Sequence, residues 1–146
     1  MPTVFITGAN RGIGLEFAKI YAENNWKVIA CCRAPLEATD LSQLASKFDK
    51  KIIIFKMDIC EQADINKFCD EYQNETIDLL INNAGAQFEN YGSAAYENMG
   101  EDPNPANYDY DMWAETMNVN LFAPTKLTGH LAPMLQRSKN AKVVMM

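Results

Sequence analysis

The 146-residue chain holds a single histidine, two tryptophans and four cysteines, and no apolar stretch reaches the length of a membrane span. A spanning helix needs about 20 consecutive apolar residues, so none is expected. The N-terminus shows no signal-peptide pattern, because Met1 and Pro2 lead straight into strand-like sequence. The cysteines (Cys31, Cys32, Cys60 and Cys69) lack metal-ligand spacing, and two of them are adjacent. They read as small hydrophobes in a reducing compartment, and no metal site is expected. Thirteen basic residues stand against 19 acidic ones, a net charge of −6. That balance argues against nucleic acid or an anionic membrane as partner, since both reward clustered Lys and Arg. With no repeat, low-complexity tract or long charge block, the expectation is one cytoplasmic globular domain.

What the chain does have is regular alternation of strand-like and helix-like segments. Val4–Thr7, Lys27–Cys32, Ile52–Phe55, Ile77–Ile81 and Lys142–Met146 are apolar runs of strand length. Between them, Ile13, Phe17, Ile20 and Tyr21 stripe a helix to about Asn24. Leu41, Leu44, Ala45 and Phe48 mark a second, capped by Thr39 or Asp40, and Ile65, Phe68, Cys69 and Tyr72 a third. A long helix is expected over residues 110–135, with Trp113, Met117, Leu121 and Leu127 apolar and a bend at Pro124. This order predicts an α/β fold: a Rossmann-type, doubly wound parallel sheet of order 3-2-1-4-5 with helices on both faces. A polar stretch from Gln87 to Tyr108 carries Phe88, Tyr91, Tyr96 and Met99. It reads equally as a cover for a ligand or as a solvated insertion.

The candidate site falls where ligands belong in such a sheet, at the carboxyl ends of the strands. Thr7-Gly8-Ala9-Asn10-Arg11-Gly12-Ile13-Gly14 follows the first strand and opens the first helix. Unhindered amides there approach a pyrophosphate, and the helix N-terminus faces it. The second strand ends Cys31-Cys32-Arg33, without the acid that grips the ribose 2′-hydroxyl of NAD. Arg11 and Arg33 are therefore assigned to the 2′-phosphate of NADP, against the plainer reading of two solvated surface charges. Asp58 closes the third strand and suits either an adenine amino group, with Ile59 over the ring, or a helix N-cap. Asn82-Asn83-Ala84-Gly85 closes the fourth, leaving room for a ribose or making an ordinary turn.

Together with Asn118-Val119-Asn120-Leu121 in the long helix, these motifs resemble the classical short-chain dehydrogenases/reductases, nearest to the C-factor/sniffer-like carbonyl reductases. The resemblance spans essentially the whole chain. It implies an NADP-dependent oxidoreductase acting on a small carbonyl or alcohol substrate, and a homo-oligomer (dimer or tetramer) when complete. By position, Gly8, Asn10, Arg11, Gly12, Ile13 and Gly14 would cradle the cofactor phosphates, and Arg33 would select the 2′-phosphate. Asp58 and Ile59 would hold the adenine, Asn82, Ala84 and Gly85 would line the ribose, and Asn83 would brace the sheet. Asn120 matches the catalytic asparagine whose helix position helps hold a water in a proton relay.

The family's catalytic Ser and Tyr-x-x-x-Lys, whose Tyr is the general acid/base, are not found. None of the six tyrosines has a lysine four positions on, and His130 reads as a partly exposed structural residue. The chain is thus expected to be an NADP-binding Rossmann domain over 1–146, truncated in its fifth strand, inactive alone and aggregation-prone at the open edge. The alternative is a non-catalytic NADP(H)-binding sensor module.

Overall fold

Alternation of the side chains along each strand builds two cores, one on either face of a single sheet. The computed structural model describes residues 1–48, 50–86 and 110–146. Strands β1 (Thr3–Thr7), β2 (Lys27–Cys32), β3 (Ile52–Lys56), β4 (Leu79–Asn82) and β5 (Lys142–Met145) pair in parallel in the order β3-β2-β1-β4-β5. Val4, Ile6, Val28, Ala30, Leu79 and Ile81 face one side, against α1 (Gly12–Glu23) and α2 (Thr39–Lys47). Phe5, Ile29, Phe55 and Leu80 face the other, against α3 (Gln62–Glu71) and the helix α5 (Ala123–Gln136). Covering both faces explains why the central strands read as unbroken apolar runs. An aromatic stack of Phe5, Phe55, Phe68 and Tyr72, with ring centroids 4.7–5.9 Å apart, fills the α3 side. No helix among the described residues is long and apolar enough to cross a membrane.

Several local expectations need correction. The face of α1 that packs on the sheet is Gly14, Ala18 and Ala22, spaced four apart, whereas Ile13 and Ile20 stand 61% and 42% exposed. Small residues win there because the helix lies close to the strands, with Phe17 and Tyr21 at its flank. No side chain caps α2: Thr39 and Asp40 sit inside its first turn, where Asp40 favours the helix dipole. Strand β4 begins at Leu79, because the Ile77 N–H donates to Met134 O at 3.1 Å and so leaves the ladder.

The long helix is also interrupted earlier than its proline suggests. It runs as α4 (Tyr110–Met117), a π-helical turn (Asn118–Phe122) and α5, with Pro124 in the first turn of α5. Trp113, Met117 and Leu121 are 39–45% exposed, while Leu127 is fully buried. The residues of β5 are exposed along their length, and the ligand-cover expectation for residues 87–108 lies outside the described residues.

Candidate nucleotide site

The site is built where β1 and β4 end side by side. Thr7, buried at the last position of β1, uses one hydroxyl oxygen to accept two main-chain N–H groups, from Asn83 at 3.0 Å and Ala84 at 2.9 Å. Asn83 Nδ2 then donates to Thr7 O at 3.0 Å and Gly8 O at 3.1 Å. Four bonds therefore fasten the turn after β4 to the turn after β1, and buried polar groups that would otherwise be orphaned are satisfied. Gly8 adopts φ +65°, a left-handed value that a side chain would strain. A Cβ on Gly14 would stand 2.2 Å from Gly8 O and 2.5 Å from Asn83 Nδ2. Gly14 is thus the residue that lets α1 start directly against the knot.

Over this knot lies an open cleft of about 660 Å³. The glycine turn contributes Gly8, Asn10, Arg11, Gly12 and Ile13, and the end of β2 contributes Cys32, Arg33 and Ala34. Met57, Asp58, Ile59 and Cys60 follow β3, Asn83, Ala84, Gly85 and Ala86 follow β4, and Val119 comes from the π turn. Glu37 and Ala38 complete the wall beyond a single 3-10 turn (Pro35–Glu37). Arg11 and Arg33 are exposed, and among the described residues neither forms a salt bridge. Two uncommitted guanidiniums at a glycine turn and a helix N-terminus make the cleft suited to phosphate.

At the β3 end, Asp58 does not cap α3, which starts four residues later behind Glu61. Its Oδ1 accepts the Cys60 N–H at 2.9 Å, while its own N–H donates to Asp64 Oδ2 at 2.9 Å. The carboxylate is thereby locked at the cleft wall. Ile59 lines the cleft and also belongs to the α3-side core, only 5% exposed. Burial pushes the Cys60 thiol up from the ordinary value, and the adjacent Asp58 charge adds to the shift while Arg33 opposes it.

Asn120 sits in the π turn. Its side-chain amide pairs with both main-chain groups of Ala86, accepting from the N–H and donating to the carbonyl, each at 2.9 Å. The turn has a covalent cause. Pro124 has no N–H to offer the carbonyl of Asn120 four residues earlier, and the Ala123 N–H reaches back five residues to Asn118 O. A π bulge of this kind is frequent at functional sites. Its effect here is to seat Asn120 against the strand-end segment that lines the cleft.

Two residues expected at the ligand are placed elsewhere. Gly14 is buried beneath the turn and packs against Gly8. Asn82 is 3% exposed and directs Nδ2 to Thr128 Oγ1 at 3.1 Å, with Oδ1 buried and without a partner among the described residues. Sequence reasoning missed Cys32, Ala34, Glu37, Ala38, Met57, Cys60, Ala86 and Val119 on the wall. All but Glu37 and Ala38 adjoin residues already singled out, so strand-end neighbours were the available signal. His130 is exposed on α5, its Nε2 3.2 Å from Gln62 Nε2.

The short-chain dehydrogenase family model matches residues 2–146. The chain belongs to that family. Among relatives, a short-chain dehydrogenase of Pyricularia oryzae is 29% identical over 141 residues, covering 93% of this chain and 52% of its own. The protochlorophyllide reductase of Pisum sativum is 35% identical over 88 residues, 58% of this chain and 22% of that protein. Among solved structures, a carbonyl reductase from Pseudomonas aeruginosa in complex with NADP superimposes with a TM-score of 0.77 at 27% identity. The match covers 94% of this chain and 57% of the reductase. This short-chain dehydrogenase chain therefore spans about half, or less, of the length of the proteins it resembles.

Proposed function

We propose that residues 1–146 are the NADP(H)-binding part of an oxidoreductase that moves a hydride between nicotinamide and the carbon of a small carbonyl or alcohol. The observation that carries this reading is the pairing of Arg11 and Arg33 in one cleft, above a glycine turn, where β2 ends without an acid. An Asp or Glu at that strand end would repel a 2′-phosphate, whereas a guanidinium forks onto it. The main-chain N–H groups of residues 10–13 would take the pyrophosphate, Asp58 the adenine amino group, and Ala84 and Gly85 the ribose. Asn83 would act indirectly, by holding the turn that lines the cleft. The cofactor supplies the hydride chemistry itself. Four unpaired thiols fit a reducing, cytoplasmic setting.

For the reaction, Asn120 would be a positioning residue whose amide anchors Ala86 at the cleft edge. The second reading is an NADP(H)-binding module that works without turnover, which the same cleft would serve. Fluorescence titration with NADPH and NADH tests the main reading. Saturable NADPH binding at least tenfold tighter than NADH binding is expected. Equal affinity, or an unchanged preference in Arg33→Ala, refutes the assignment of the guanidinium. Addition of a ketone to the whole protein, not to these residues alone, separates the two readings, since only the enzyme oxidises bound NADPH.

A further inference from the structure

At its β3 end the sheet is open among the described residues, because β3 lies last in the strand order and pairs with β2 alone. The Val28 N–H donates to Lys51 O at 2.7 Å and the Met57 N–H to Cys32 O at 2.9 Å, so residues 51, 53, 55 and 57 turn their main-chain groups toward β2. Ile52, Ile54 and Lys56 turn theirs outward, where no described strand receives them. Ile53 and Ile54, on opposite faces of the strand, are half-buried, whereas the β2 residues beside them, Ile29 and Ala30, are fully buried. One more strand would complete the cover of both isoleucines and satisfy the outward groups.

The charge around this edge says which strand. Residues 47–56 hold four lysines (Lys47, Lys50, Lys51 and Lys56) and one acid, a local excess of positive charge in a chain of net charge −6. Among the described residues none of the four forms a salt bridge. Lysines on an edge oppose self-pairing. A second copy adding its own β3 antiparallel, centred between Ile53 and Ile54, would set Lys51 of each opposite Lys56 of the other. The same side chains attract an extended segment with carboxylates at both ends and apolar residues between, spanning about 17 Å from position 51 to position 56. We propose that the outer edge of β3 is a docking surface for a partner protein that adds an acidic, extended strand to this sheet. Main-chain bonds to Ile52, Ile54 and Lys56 hold the strand, and the lysines select it by charge. The inference is independent of the nucleotide reading, since none of these edge residues lines the cleft.

The test is amide hydrogen exchange of the chain titrated with the peptide acetyl-Glu-Glu-Val-Thr-Val-Glu-Glu-amide. Exchange at Ile52, Ile54 and Lys56 is expected to slow by about tenfold near saturation, while Ile53 and Phe55, already bonded to β2, stay unchanged. The double variant Lys51→Glu/Lys56→Glu binds the peptide about tenfold more weakly at low salt. It gains affinity for the same peptide with lysines in place of the glutamates, and it melts with wild type because neither lysine has a salt-bridge partner in the fold. A fully N-methylated peptide, which keeps the charges and loses the main-chain donors, gives no protection. Absence of saturable protection in the wild-type chain overturns the proposal. Equal binding of the N-methylated peptide, or of a single-stranded oligonucleotide at the same residues, also overturns it, because the edge then attracts any polyanion without forming a strand. Protection of the same amides by rising protein concentration alone overturns it in favour of a second copy.

Discussion

Replacing Gly14 by alanine tests the knot on which the site is built. The added methyl would meet Gly8 O at 2.2 Å, Gly8 C at 2.9 Å and Asn83 Nδ2 at 2.5 Å. Two of these are backbone atoms, so relief requires α1 to shift by about 1 Å away from the β1 turn, in the range where overpacking costs about 3 kcal/mol. The shift also stretches the Asn83 bonds to Thr7 O and Gly8 O, a further loss of about 1 kcal/mol. Alanine's better helix propensity returns about 1 kcal/mol. The net destabilisation is about 3 kcal/mol, or a melting temperature lower by about 10 °C for a domain of this size. Gly129→Ala is the matched control, because nothing lies within 4 Å of a Cβ there and the residue is exposed within α5. It gains about 0.5–1 kcal/mol. The pair is read by thermal melts followed by circular dichroism. A Gly14→Ala protein melting within 2 °C of wild type would refute the steric account, since the two substitutions must differ in sign.

Other outcomes follow from the same geometry. Thr7→Val strips the shared acceptor from the Asn83 and Ala84 N–H groups and costs about 2–4 kcal/mol in urea unfolding, while Thr7→Ser stays within about 1 kcal/mol. Arg33→Ala weakens NADPH binding by about 10- to 100-fold, the worth of one or two charge-assisted bonds, with little change for NADH. Asn120→Ala removes both bonds to Ala86, and amide exchange at Ala86 rises by at least tenfold while that at Gly8 does not. Burial raises the thiols of Cys31, Cys32, Cys60 and Cys69. The folded state therefore binds more protons than the unfolded state above the ordinary thiol range of about 8.5. Their contribution to stability is intact below that pH and is lost as pH rises toward the folded values, so urea midpoints fall as the pH is raised above about 8.5. A midpoint that rises over that window contradicts the burial argument.

The sheet order and the edge carrying the site were legible because two signals are strong in a sequence. Apolar runs such as Val4-Phe5-Ile6 and Ile52-Ile53-Ile54 mark strands covered on both faces, and a glycine turn between strand and helix marks the phosphate edge. Packing partners were less legible. Ile13 and Ile20 are more hydrophobic than Gly14, Ala18 and Ala22, yet the small residues are inside, because their value is close approach and not buried area. Asn82 and Asn83 are neighbours of one type, and only the pleat decides that Asn83 ties Thr7 and Gly8 while Asn82 turns to Thr128. The π turn was hidden because Pro124 signals a bend but not which carbonyl goes unpaired.

The most direct test of the central claim is an amide NMR titration of the 15N-labelled chain with NADP⁺. A bound nucleotide shifts the amides of Gly8, Asn10–Ile13, Arg33, Asp58 and Ala84–Ala86. It leaves unmoved the groove at the opposite end of the strands, lined by Thr3, Glu71, Glu75 and Asp78. Saturation without shifts in Gly8–Ile13, or with the largest shifts in that opposite groove, would contradict the account.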